Sequence, residues 1–185
     1  KPFVWLQRLL LTMIVATGVA FVTMVSLAYS VDTIVTWSLP TVPISLWLNA
    51  LVGGPLLAAI TLYAAQWRAL AGRFGLLLMT VPFIALAANM AAYIVQGRLL
   101  NGVANSVVAA ADLVPHYRTM LLVFALMCFA GCVLAAFTMH AVSREAVAHG
   151  GGELAFSKRV LVRLLVSCLL VFAGIFVMRF AFYMM

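Results

Sequence analysis

Five apolar runs, at roughly residues 9–30, 44–66, 74–96, 119–141 and 160–182, set the pattern of this chain, and each has the ~20 residues needed to cross the hydrocarbon core of a bilayer. Each run predicts a membrane-spanning helix. The longest polar interruption is Gln96 to Arg118, QGRLLNGVANSVVAAADLVPHYR. Within it Leu99, Leu100, Val103, Val107, Ala110, Ala111 and Val114 recur at helical spacing, while Arg98, Asn101, Asn105, Asp112 and His116 fall toward the other side. That pattern predicts an amphipathic helix lying on the membrane surface. Pro115 would stop it, because the residue before a proline is pushed out of the α region. The fold class expected is therefore all-α: a polytopic bundle of five transmembrane helices, with an interfacial helix between the third and fourth. Residues 1–185 form a single transmembrane domain in this reading.

Polar and helix-breaking residues inside the runs refine the picture. The first connection, Ser30 to Pro43, holds Asp32 and Trp37, and with Trp47 supplies anchors suited to the headgroup level. Pro55 has no amide proton for the carbonyl of Leu51, so the second helix should bend there, as the third should at Pro82, and Gly53 and Gly54 permit close helix approach. The short turn QWRALAGRFG makes the second and third helices antiparallel neighbours. Asn89 and Gln96, in the second half of the third helix, carry amides that need partners in lipid, so both should face the bundle. Arg179 lies near the end of the fifth helix, where it can snorkel or pair with a carboxylate such as Asp112 or Asp32.

Composition agrees with the pattern. The chain is 67% hydrophobic and only 8% charged, against about a quarter charged in soluble domains. The net charge of +7 does not point to nucleic acid, because the basic residues stand at the ends of apolar runs rather than in one patch. Lys1, Arg8, Arg68, Arg73, Arg144, Lys158, Arg159 and Arg163 fall on one side, and only Arg98, Arg118 and Arg179 on the other. Since Lys and Arg concentrate in cytoplasmic loops, the N-terminus is expected in the cytoplasm and Gln96–Arg118 outside. The chain starts at Lys1 without an initiator Met, which reads as a fragment or a processed form. Its first run is too long for a signal peptide.

Residue types exclude several chemistries. A membrane-embedded haem held by two histidines needs them inside the bilayer, whereas His116 is in the outer stretch, His140 at an inner helix end and His149 in a loop. Cys128, Cys132 and Cys168 lie in apolar runs and form no CxxC pair, so no iron–sulfur cluster is expected in this chain. The glycine-rich linker SREAVAHGGGELAFSKR lacks the Lys-Ser or Lys-Thr of a phosphate loop. All four carboxylates, Asp32, Asp112, Glu145 and Glu153, fall in loops, which disfavours a proton or cation path through the helices. What remains is a group at the outer edge: Asp112, His116, Tyr117, Arg98, Asn89, Gln96 and Arg179, with Asp32. Two readings stay open for it. Quinol oxidation releases two electrons and two protons and needs hydrogen-bonding groups near both ring oxygens and a proton route to water. Alternatively the same groups satisfy loop ends or bind a partner's surface.

Several strings then carry a resemblance. Ser30-Val31-Asp32-Thr33-Ile34-Val35-Thr36-Trp37, Gly53-Gly54-Pro55-Leu56-Leu57, Gln96-Gly97, Leu113-Val114-Pro115-His116-Tyr117 and Arg179-x-x-Phe182-Tyr183 occur in the order and spacing of the membrane anchor subunit of bacterial dimethyl sulfoxide reductases, and the sequence resembles this DmsC family. The resemblance implies an eight-helix inner-membrane subunit whose last five helices correspond to the present sequence. It also implies menaquinol as electron donor, no haem, an iron–sulfur partner that receives the electrons and a molybdopterin catalytic subunit beyond it. The family's quinol residues are placed mainly in the absent N-terminal half. The resulting expectation is a quinol-oxidising anchor portion in the inner membrane, with Gln96–Arg118 covering the quinol region and docking the electron-transfer subunit. A purely structural anchor and a transporter-like fragment are the alternatives.

Overall fold

The computed structural model describes residues 3–30, 34–104, 109–148 and 156–184. Its helices are α1 (Val4–Ala28), α2 (Thr41–Ala64), α3 (Arg73–Leu100), α4 (Ala110–Leu113), α5 (Tyr117–Ala148) and α6 (Lys158–Met184), with one 3-10 turn at Arg68–Ala71 between α2 and α3. Five of them are long and apolar enough to span a membrane. The expected spans 74–96, 119–141 and 160–182 sit inside α3, α5 and α6, while 9–30 and 44–66 start later than α1 and α2 and run two residues past their ends. At 1.5 Å per residue the 28 residues of α3 reach about 42 Å, well past a hydrocarbon core of ~30 Å. The polar ends of α3 and α5 thus belong at the interface.

Four helices close a ring. α2 packs on α3, α3 on α5, α5 on α6 and α6 back on α2, while α1 attaches to α2 from outside. Apolar side chains gain little from leaving lipid, so packing density and hydrogen bonds must hold such a ring together. The inner face is accordingly tight: Val52, Leu56, Phe124, Cys128, Val171 and Met178 are almost completely buried. Small residues allow α5 and α6 to touch. A methyl group at Gly131 would fall 2.6 Å from the carbonyl oxygen of Ser167, and one at Gly174 would fall 2.8 Å from the sulfur of Cys128. By contrast, α1 buries only Ser26 and exposes most of its apolar surface.

The two ends of the bundle differ. At one end Ser143 Oγ donates to the carbonyl of Ala71 at 2.7 Å and the Ser157 amide donates to the Tyr63 hydroxyl at 2.9 Å, tying together the α2–α3 turn, the end of α5 and the start of α6. Arg68, Arg73, Arg144, Lys158 and Arg159 gather at this basic end. At the other, aromatic end the Tyr29 and Tyr183 hydroxyls lie 2.8 Å apart, and Trp37 stacks on Phe182 at 4.9 Å.

The stretch before α5 departs from the expected surface helix. α3 continues to Leu100, the backbone then turns at Asn101-Gly102, Ala104 and Ala109 form an isolated antiparallel bridge, and α4 lasts four residues. The physical reason is local. Asn and Gly are poor helix formers, and the Asn101 and Gly102 amides bond to the carbonyls of Arg98 and Leu99, three residues back, in a tightened last turn that ends α3. The Ala110 amide donates to the Val103 carbonyl at 2.9 Å, beside the Ala104–Ala109 bridge. Asp32, Asn105, His149 and Glu153, and the triple glycine of the linker, lie outside the described residues. Pro55 and Pro82 both sit inside their helices. Gly53 does accept a close neighbour: a methyl group there would be 3.1 Å from the Phe172 ring.

Candidate functional site

The aromatic half of the ring contains a buried polar seam. On α2, Thr41, Ser45 and Asn49 follow one another at intervals of four, so they line one face, and all three are buried. On α3, Asn89, Tyr93 and Gln96 do the same, at intervals of four and three. The faces meet. Asn89 Nδ2 donates to Asn49 Oδ1 at 2.7 Å, and Asn49 Nδ2 donates to the Tyr93 hydroxyl at 3.1 Å. The Tyr93 hydroxyl also hydrogen-bonds with Ser45, whose own hydroxyl donates to the Val42 carbonyl at 2.9 Å. This is a directed series of donors, and each link is satisfied by the next.

Both neighbouring elements add to it. Tyr117, the first residue of α5, donates its hydroxyl to the Tyr93 backbone carbonyl at 2.7 Å. Its ring can cross α3 there because position 97 is glycine: a methyl group would come within 2.7 Å of the Tyr117 ring. From α6, the Arg179 guanidinium sits 5.8 Å from the centre of the Phe182 ring, a cation–π arrangement, and within electrostatic reach of Tyr93. Phe182, stacked on Trp37 and edge-on to Tyr29, closes the end of the seam one turn beyond Arg179.

Four atoms at the seam are buried and have no hydrogen-bond partner among the described residues: Trp37 Nε1, Thr41 Oγ1, Asn89 Oδ1 and Arg179 Nη2. Orphaned polar atoms in a low-dielectric interior are costly, and a cation costs most, so such a set marks a place where a ligand or water completes the bonding. Two of the four can only donate, one can only accept and the threonine can do either. The complement is a molecule carrying oxygen atoms that accept as well as hydroxyls that donate.

The residues singled out from sequence divide into two sets. Asn89, Gln96 and Tyr117 are buried at or beside the seam, and Arg179 caps it. Arg98, Asp112 and His116 are exposed at the surface. Neither Asp112 nor His116 reaches the seam, and among the described residues no ion pair joins Asp112 to Arg179. Sequence reasoning missed Ser45, Asn49 and Tyr93, the middle of the donor series. A signal is present in the four-residue spacing of Thr41, Ser45 and Asn49, but it looks like a helix start at the interface.

A ring of spanning helices with an apolar exterior and one polar seam defines an integral membrane subunit. The protein belongs to the DMSO reductase anchor subunit (DmsC) family, which it matches over residues 3–185. Among characterised relatives it is 33% identical over 120 residues to YnfH, a subunit of an anaerobic dimethyl sulfoxide reductase of Escherichia coli (strain K12), a match covering 62% of the present sequence and 39% of the relative. It is 34% identical over 117 residues to the C subunit of the anaerobic dimethyl sulfoxide reductase of the same organism, covering 63% and 40%. The matched region is thus about two fifths of the length of either relative. No solved structure matches.

Proposed function

We propose that this protein is the part of a quinol-oxidising anchor subunit that holds a dimethyl sulfoxide reductase-type complex on the bacterial inner membrane. Menaquinol gives up two electrons and two protons, and the electrons pass to an iron–sulfur subunit and then to a molybdopterin catalytic subunit. The aromatic end of the bundle faces outward in this reading, following the excess of Lys and Arg at the opposite end. The observation that carries the proposal is the set of unfilled donors and acceptors along the buried seam. A quinol headgroup presents what they lack: hydroxyls for Asn89 Oδ1 and Thr41 Oγ1 to accept, and ring oxygens to which Arg179 and Trp37 can donate. In the whole subunit these side chains form one wall of the quinol region. Tyr117 holds α5 against that wall, Gln96 extends its polar face, and the exposed Asp112 and His116 dock the electron-transfer subunit.

The test uses the full-length subunit in its assembled complex and a menaquinone analogue bearing a photoreactive group on its ring. Crosslinks to peptides holding Thr41–Asn49 and Asn89–Tyr93, competed by unlabelled menaquinone, are the expected result. Competed crosslinks confined to other parts of the complex would leave this protein with a structural anchoring role alone.

A further inference from the structure

A second polar feature lies on the outside of the bundle where α3 and α5 emerge at the aromatic end, sharing Gly97 and Tyr117 with the flank of the seam but none of its orphaned atoms. It is an open cleft of about 360 Å³ with Arg98, Asn101 and Arg118 among its polar lining residues. Arg98 stands in the last turn of α3 and Arg118 in the first turn of α5. The same cleft is lined deeper in by Ile94 and Leu121, each about one turn inward of the arginine on its own helix. Charge is therefore at the rim and apolar surface on the membrane side. Neither arginine has a carboxylate partner among the described residues, and Asp112, the acid closest in sequence, does not line the cleft. Two cations lining one cleft disfavour each other, and an anion bound between them relieves that repulsion.

We infer that this cleft binds the phosphate headgroup of an anionic phospholipid, with the two guanidinium groups and the Asn101 amide around the phosphate and an acyl tail against Ile94 and Leu121. A lipid fits better than an acidic protein surface because the apolar half of the cleft opens along the spanning helices, at a depth only a lipid tail occupies. A free inorganic phosphate would leave that half unused. The inference is independent of the quinol reading, since the Tyr117 hydroxyl is already committed to α3 and the orphaned atoms of the seam are not part of this cleft.

The test is native mass spectrometry of the complex containing the full-length subunit, incubated with equal amounts of phosphatidylglycerol and phosphatidylcholine. Preferential retention of phosphatidylglycerol is expected, falling about fivefold for Arg98→Gln or Arg118→Gln and about thirty-fold for both together, since each cation near an anionic headgroup adds a comparable increment. Arg98→Lys with Arg118→Lys keeps the charge and should keep the preference. Because both positions are exposed, the single variants carry the test even if the double variant assembles poorly. Equal retention of the two lipids, or unchanged preference in the single variants, overturns the inference. So does displacement of the lipid by millimolar inorganic phosphate, which would mark a small-anion site. Loss of the partner subunits with lipid retention intact would instead assign the arginines to protein docking.

Discussion

At the scale of single residues, the seam depends on where hydroxyls and amides find partners inside an apolar bundle. Asn89 and Gln96 are legible in the sequence because an amide within an apolar run has few explanations other than an inward-facing bond. Tyr93 is not, because tyrosine is common near membrane interfaces and its role follows from Asn49 lying opposite on another helix. The inward turn of Arg179, whose Nη2 is buried, is equally hidden, since a cation near a helix end can snorkel outward or turn inward, and the ring of Phe182, stacked on Trp37, receives it here. Gly97 and Tyr117 give the sharpest local prediction. Gly97→Val puts a side chain where the Tyr117 ring now lies and should destabilise the bundle by about 1–3 kcal/mol, the usual cost of overpacking. Tyr117→Phe keeps the ring and loses one hydrogen bond, for about 1 kcal/mol. Thermal unfolding in detergent measures both, and an unchanged midpoint for Gly97→Val would contradict the packing described.

At the scale of elements, the five spans can be read from apolar length alone, and their ends are harder because helices continue past the hydrocarbon core into the interface. The expected surface helix is not seen as one continuous element among the described residues. Its apolar positions have helical spacing, but α3 stops before the turn at Asn101-Gly102, and the described residues on either side, up to Ala104 and from Ala109, do not belong to one helix. Periodicity reports which side of a segment is apolar, while helix-breaking residues such as Asn101 and Gly102 decide where a helix ends. The α5–α6 pair is the most tightly joined, through backbone approach at Gly131 and Gly174. Gly131→Leu should therefore separate these helices, costing at least about 1–3 kcal/mol. Reduced thermal stability of the purified subunit, with Gly18→Leu on the open surface of α1 as a neutral control, is the expected outcome. Equal effects of the two substitutions would show that the close approach does not matter.

At the scale of the whole molecule, a four-helix ring with α1 on its flank combines two tasks. The apolar exterior embeds the subunit in the membrane. The seam offers hydrogen-bonding capacity that the ring itself leaves unused at one end, beside the surface where Asp112 and His116 are exposed. Sequence reasoning places the polar group at this end but cannot say which members are inside, because that depends on how four helices rotate about their own axes. The most direct measurement compares menaquinol-linked reduction of dimethyl sulfoxide with reduction driven by an artificial dye that feeds the catalytic subunits, in complexes carrying Asn89→Leu or Arg179→Gln. If the seam meets the quinol, menaquinol-linked turnover falls by about tenfold or more, the effect of removing one hydrogen bond in a buried site, while dye-linked turnover and subunit assembly are retained. Menaquinol-linked turnover equal to that of the unsubstituted complex in both variants would contradict the account.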